Sequence, residues 1–254
     1  MSRLINKNII TVIPARMGSS RFPGKPMATI LGVPMIERVW TNCSQSSIVK
    51  RNVVATCDQE IFDHISSIGG EAVMTSANHE RASDRTAEAV DIIEKKYSIN
   101  FEIVVMVQGD EPLVKPGMID EALQPFEDDD DIVVTNLSGS ISKEECSNSD
   151  TIKVVTDCNG FALYLSRSPI PAYVEQLDSA CCGKQVCIIP FKRDFLKVYG
   201  DLPQTPLEKS ESIDMLRVLE HGFKLKMVRT QWLSHPVDTP EDLEIVESIL
   251  RAES

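Results

Sequence analysis

Three cations, Arg16, Arg21 and Lys25, punctuate the run Pro14-Ala15-Arg16-Met17-Gly18-Ser19-Ser20-Arg21-Phe22-Pro23-Gly24-Lys25-Pro26, which directly follows an apolar segment. Backbone N–H groups of a Gly/Ser-rich loop can cradle phosphate oxygens while nearby cations neutralise them. The first 36 residues hold no Asp or Glu, although the 254-residue chain carries a formal net charge of -12. An acidic chain that reserves such a loop is suited to a phosphorylated small molecule. Two acidic motifs carry the complementary chemistry: Gln108-Gly109-Asp110-Glu111-Pro112 and Val237-Asp238-Thr239-Pro240-Glu241-Asp242. A carboxylate at a strand end, stiffened by a nearby proline, can hold Mg²⁺ through its oxygens. Taken singly, each Asp also fits a turn or an N-cap, and Asp238 before Thr-Pro suits a cap. Set beside a phosphate loop, the two together point to metal-assisted nucleotidyl transfer.

These groups need a scaffold, and the first half of the chain supplies its pattern. Ile9–Ile13 is an uninterrupted β-branched run, as in a parallel strand covered on both faces. Helices are expected over 35–43, 59–68 and 83–96, alternating with strands over 52–56, 71–75 and 102–108. Gly69-Gly70 stops the second helix. This alternation predicts an α/β fold built on a doubly wound, mostly parallel sheet, in which ligands sit at the carboxyl ends of strands. Both the basic loop and Asp110 fall at such ends. The second half reads as short strands over 131–137, 152–156, 162–166 and 186–191, with Asn159-Gly160 as a hairpin turn. Helices are expected over 206–221 and 240–251. The Asp128–Asp131 run reads as a solvated loop rather than a metal site.

Composition narrows the function classes. The net charge of -12 leaves no long basic face for nucleic acid. The same field repels an anionic substrate, so local positive charge must do the binding. No apolar run approaches the roughly 18 residues that span a bilayer, and neither a membrane nor a nucleic-acid partner is expected. Seven cysteines, an odd number without a zinc-type pairing, read as reduced thiols and place the protein in the cytoplasm.

The sequence resembles, over nearly its whole length, the cytidylyltransferases that make CMP-activated 2-keto-3-deoxy sugar acids, typified by 3-deoxy-manno-octulosonate (Kdo) cytidylyltransferase. The likeness rests on Ile13-Pro14-Ala15-Arg16, Ser20 to Pro26, Gly32-Val33-Pro34-Met35-Ile36, Gly69-Gly70 and Met74-Thr75. It continues through Val107 to Pro112, Ile152-Lys153-Val154-Val155, Ala162 to Pro171, Pro206-Leu207-Glu208 and Val237 to Asp242. Their order and spacing together are highly specific. The resemblance implies a nucleotide-diphospho-sugar transferase-like sheet in a single domain, 1–254, with residues 151–205 forming a β-rich arm for sugar binding and homodimerisation. It implies that CTP and an acidic sugar react to give a CMP-sugar and pyrophosphate, with Mg²⁺ as cofactor.

The same resemblance implies the site. Arg16, Lys25, Asp110 and Asp238 would be catalytic, the two aspartates carrying the metal. Pro14, Ala15, Arg16, Ser20, Lys25, Asp84, Arg85 and Gln108 would hold the nucleotide. Arg167, Gln185, Glu208, Glu211, Met215 and His235 would face the sugar. Arg85 equally fits a helix-surface ion pair with Glu88, and Arg167 a structural salt bridge. Arg21 is a weaker phosphate ligand or a surface cation. Departures from the family pattern gather on the acceptor side. Arg81-Ala82-Ser83-Asp84-Arg85 stands for Ser-Gly-Thr-Asp/Glu-Arg, Gln185 for a His, Asp214-Met215 for Glu-Gln, and Pro236 for a Gly. His235 could take over from the missing His. The acceptor expected is therefore Kdo or a close relative. Alternatives are a sugar-1-phosphate nucleotidylyltransferase and a nucleotide-binding homologue that has lost catalysis.

Overall fold

A computed structural model describes residues 3–19, 21–172 and 182–253. The chain runs β1 (Ile9–Ala15), β2 (Thr29–Ile30), β3 (Val33–Pro34), α1 (Met35–Cys43), β4 (Arg51–Thr56), α2 (Gln59–Ser67) and β5 (Glu71–Met74). It continues through α3 (Ala82–Tyr97), β6 (Ile103–Val107), α4 (Pro116–Leu123), α5 (Pro125–Asp128), β7 (Thr135–Gly139) and α6 (Lys143–Ser147). Then come β8 (Lys153–Thr156), β9 (Ala162–Ser166), β10 (Cys182–Val186), β11 (Ile188–Lys192) and α7 (Arg193–Asp201). The last elements are α8 (Pro206–Glu211), α9 (Leu216–Glu220), β12 (Lys226–Arg229) and α10 (Pro240–Ala252).

The first sheet has the order β5-β4-β1-β6-β11. Strands β5, β4, β1 and β6 are parallel, and β11 forms one edge antiparallel to β6. All seven residues of β1 and all five of β6 are buried, which is why both read as apolar runs without alternation. The second sheet, β9-β8-β10-β7-β12, is antiparallel apart from the parallel pair β7 and β12. It draws on residues 135–139 and 226–229, so its strands reach beyond 151–205. Helix α7, inside that range, packs instead on α3 and β11. One core cluster takes residues from both sheets, Val12, Val104 and Met106 with Val154, Leu165 and Met227. A smaller cluster, Ile30, Met35, Leu113, Val237 and Val246, fastens the N-terminal loop to α10.

Two expected elements are split. The run 186–191 is not one strand: β10 and β11 meet at Cys187, one serving each sheet. The helix expected over 206–221 is α8 and α9, divided at Ser212, whose φ of 54° ends the first. The strand expected from 131 begins at Thr135, and Asp129 to Asp131 are exposed. Alternation alone did not foresee α4, α6, α7 or β12.

Candidate active site

The carboxyl ends of β1 and β6 open into a cleft of about 780 Å³. There the Lys25 ammonium donates to Asp110 Oδ2 at 2.8 Å, to Asp238 Oδ1 at 3.0 Å and to the Val237 carbonyl at 2.9 Å. Three local structures set this up. Gly24, at φ 74°, turns the basic loop into the short 3₁₀ turn Lys25–Met27. Gly109 lets the end of β6 lie against β1; a Cβ there would stand 3.1 Å from the Pro14 carbonyl. The Val237 N–H donates to the Asp110 carbonyl at 2.9 Å, docking the C-terminal motif on β6. Thr239, not Asp238, caps α10: its hydroxyl accepts from the Asp242 N–H, and Asp242 accepts from the Asp238 and Thr239 N–H groups. Asp238 is therefore free to face Lys25.

Burial works against charge on Lys25, but Asp110 and Asp238 outweigh it and hold its pKa above the ordinary lysine value. The two carboxylates and one carbonyl form an all-oxygen donor set, the kind a hard divalent cation takes. The ammonium in their midst marks where positive charge belongs. No cluster of three or more His, Cys, Asp or Glu suited to a metal occurs among the described residues. The protein would thus supply two carboxylates, leaving phosphate and water oxygens to complete a shell.

Most of the expected residues share this cleft. Pro14, Ala15, Arg16, Lys25, Arg85, Gln108, Asp110 and Asp238 line it. Arg167, Gln185, Met215 and His235 line it as well. Ser20 lies outside the described residues. Asp84, Glu208 and Glu211 stand behind the wall. Glu208 is fully buried in a bidentate pair with Arg217, at 2.8 and 2.6 Å, and Asp84 sits 3.9 Å from the same guanidinium. Glu211 accepts from the Arg167 N–H and the Ser166 hydroxyl, both at 2.8 Å.

Arg85 is not paired with Glu88. Its Nη1 donates to Thr75 Oγ1 at 2.6 Å, while Glu88 accepts from the Ser76 N–H and meets His79. Arg85 is 3% exposed, and its Nη2 has no partner among the described residues. Such a buried donor is costly unless something in the cleft accepts from it. Arg21 bridges Asp150 at 2.6 Å and Asp238 at 3.0 Å. Arg81, where the family pattern has Ser, bonds Asp214 at 3.3 Å. Gln185 spends its amide on Asn136 Oδ1 at 2.6 Å, and His235 lies 3.2 Å from Asp242 Oδ1.

One buried acid of the cleft carried no assigned role in the sequence. Glu111, 1% exposed, accepts from the Cys187 N–H at 3.1 Å and the Ser234 hydroxyl at 2.8 Å. Burial, with Asp110 adding to it, pushes its pKa up to about 7. It ties the Asp110 turn to the two segments that carry Gln185 and His235. Its signal was its place between Asp110 and Pro112.

A parallel sheet, a basic loop at the end of its central strand and two carboxylates sharing one lysine suit a nucleotidyltransferase, the class to which the comparisons assign the chain. A family model described as Cytidylyltransferase matches residues 10–227. A 3-deoxy-manno-octulosonate cytidylyltransferase of Trichlorobacter lovleyi is 42% identical over 246 residues, covering 92% of this chain and 95% of that one. The enzyme of the same description from Syntrophotalea carbinolica is 42% identical over 253 residues, covering 96% and 99%. The solved structure of CMP:2-keto-3-deoxy-manno-octonic acid synthetase complexed with CTP superposes with a TM-score of 0.86 at 36% identity, covering 97% of this chain and all of that one. A 4-diphosphocytidyl-2C-methyl-D-erythritol synthase from Anaerococcus prevotii shares the fold, with a TM-score of 0.61 at 14% identity. The chain belongs to the 3-deoxy-manno-octulosonate cytidylyltransferase family.

Proposed function

We propose that the protein couples CTP to 3-deoxy-manno-octulosonate, or a close relative of it, releasing pyrophosphate and forming the CMP-sugar. The observation that carries this reading is the Lys25–Asp110–Asp238 cluster at the mouth of β1 and β6, in a chain 42% identical to enzymes of that description. The anomeric hydroxyl of the sugar attacks the α-phosphorus in line, and pyrophosphate departs. Arg16 and Lys25 neutralise the triphosphate, and loop N–H groups near Gly18 and Ser19 orient it. Arg85 Nη2 and Gln108, which line the same cleft, hold the nucleotide. Arg167 presents Nη2, the guanidinium nitrogen left over from its backbone contacts, to the sugar carboxylate in a charge-assisted hydrogen bond. Asp110 and Asp238 would hold Mg²⁺, which lowers the cost of charge on the reacting phosphate and hydroxyl when bound.

No helix among the described residues is long and apolar enough to cross a membrane. A cytoplasmic enzyme, homodimeric through its second sheet, accords with this reading; Leu163 in β9, at that sheet's edge, is 64% exposed. The test is pyrophosphate release with CTP and Mg²⁺ across a panel of acidic sugars. Turnover with 3-deoxy-manno-octulosonate supports the reading directly, and turnover with another acid alone relocates the acceptor. UTP or GTP serving as well as CTP would overturn it.

A further inference from the structure

Lys153, in β8, is fully buried, yet it has no carboxylate partner among the described residues. Its ammonium donates to the carbonyls of Asn148 and Thr151, both at 2.8 Å, and to the carbonyl of Arg167. An ammonium has three protons to donate, and all three are used on backbone. Burying a charge without a counter-ion is costly, and an apolar side chain would fill the space more cheaply. What the charge secures is the relation between two segments, the turn 148–151 and the end of β9.

Those segments also hold the Arg167 side chain. Its Nη1 donates to the Ser149 carbonyl at 3.0 Å and lies 3.4 Å from that of Asp150. Its Nε donates to the Glu211 carbonyl at 2.8 Å, and its backbone N–H to Glu211 Oε2. Lys153 and the guanidinium thus grip one turn, and both Arg167 and that turn line the cleft. Arg167 Nη2 has no protein partner among the described residues.

We propose that Lys153 is a positioning residue for the acceptor: its ammonium locks the turn 148–151 to Arg167 and so preorganises the guanidinium for the sugar carboxylate. The proposal rests on the reading of Arg167 as the carboxylate ligand. The groups facing Lys153 are Cys146, Cys182, Arg167 and Glu211. Burial foremost, with Arg167 adding to it, lowers the Lys153 pKa, whereas that of Lys25 is raised.

The test measures KM for CTP and for 3-deoxy-manno-octulosonate by pyrophosphate release in wild type, Lys153→Met, Arg167→Ala and the double variant. Lys153→Met is expected to raise the sugar KM at least tenfold and leave the CTP KM within twofold. On the Arg167→Ala background it is expected to change neither. Equal losses for both substrates, or full additivity in the double variant, would overturn the proposal while leaving Arg167 in its role. An unchanged sugar KM in Arg167→Ala would remove the premise and the proposal with it. Should Lys153→Met not fold, Lys153→Gln is measured in its place with the same expectations, and an unchanged sugar KM in that variant would overturn the proposal.

Discussion

Asp110 and Asp238 meet only through a lysine. Without the Lys25 ammonium two carboxylates would face one small space, and their repulsion would be relieved by protonation or by a captured cation. Asp110→Asn is expected to abolish turnover while leaving the melting temperature within a few degrees; an active variant would remove the metal assignment. Lys25→Met has a double expectation. CTP affinity falls by the roughly 1–3 kcal/mol of a charge-assisted contact. Nucleotide-free Mn²⁺ binding, read by electron paramagnetic resonance, strengthens at least tenfold, because among the described residues only Arg21, on Asp238, is then left to neutralise the two carboxylates. Unchanged Mn²⁺ affinity would show that the lysine does not compete there. Glu111 carries a pH signature. Its folded pKa of about 7 lies above the ordinary carboxyl value, so the nucleotide-free protein binds more protons folded than unfolded between about 4.5 and 7. Stability from this group is complete below that window and is lost as pH rises through it. Glu111→Gln retains acceptors and donors for Cys187 and Ser234, and should flatten that slope. The gain at pH 8 should be on the order of 1–3 kcal/mol in urea titrations at several pH values.

Elements were legible where they bury themselves locally and obscure where distant parts of the chain decide them. Helix α1 begins and ends as its pattern predicts, because Met35, Ile36, Val39 and Cys43 form one buried stripe. The break at Cys187 has no such trace. Its N–H goes to Glu111 and its carbonyl accepts from the Gln108 N–H, partners more than seventy residues away. The split of α8 from α9 depends on Ser212 adopting a left-handed conformation usually left to Gly or Asn. In the site, residue types and motif order pointed to Lys25, Asp110 and Asp238, which the fold does bring together. The pairing of Arg85 with Glu88 was plausible at helical spacing, but His79 and the Ser76 N–H draw Glu88 off that face. Glu208 could not be told from a sugar ligand, because nothing local announces that Arg217 will bury it. Ser98, exposed at φ 53° where α3 ends, is the same kind of cap as Ser212 without its neighbours. Ser98→Gly is expected to stabilise the protein by about 0.5–1 kcal/mol in urea unfolding, by relieving the left-handed strain. A loss of stability would mean that the serine hydroxyl contributes more than the backbone strain costs.

At the scale of the molecule the two sheets are not separable. They share a core cluster, and the β10–β11 run passes from one to the other. Calorimetry on the nucleotide-free protein is expected to show one transition with equal van't Hoff and calorimetric enthalpies; two resolved transitions would contradict the shared core. The Lys25–Asp110–Asp238 cluster is completed by a later part of the chain than the sheets are. Strand β12 ends at Arg229, so every strand of both sheets precedes the residue that completes the cluster. Lys25 must wait for Val237 and Asp238, 212 and 213 positions further on, and Asp110 for the Val237 N–H. On a ribosome, then, the scaffold can form before the machinery it carries. A chain whose strands have all emerged but whose Asp238 has not can pair Lys25 with Asp110 alone. Completing the cluster waits on the segment around Asp238, which must fold back onto strands that precede it in the chain.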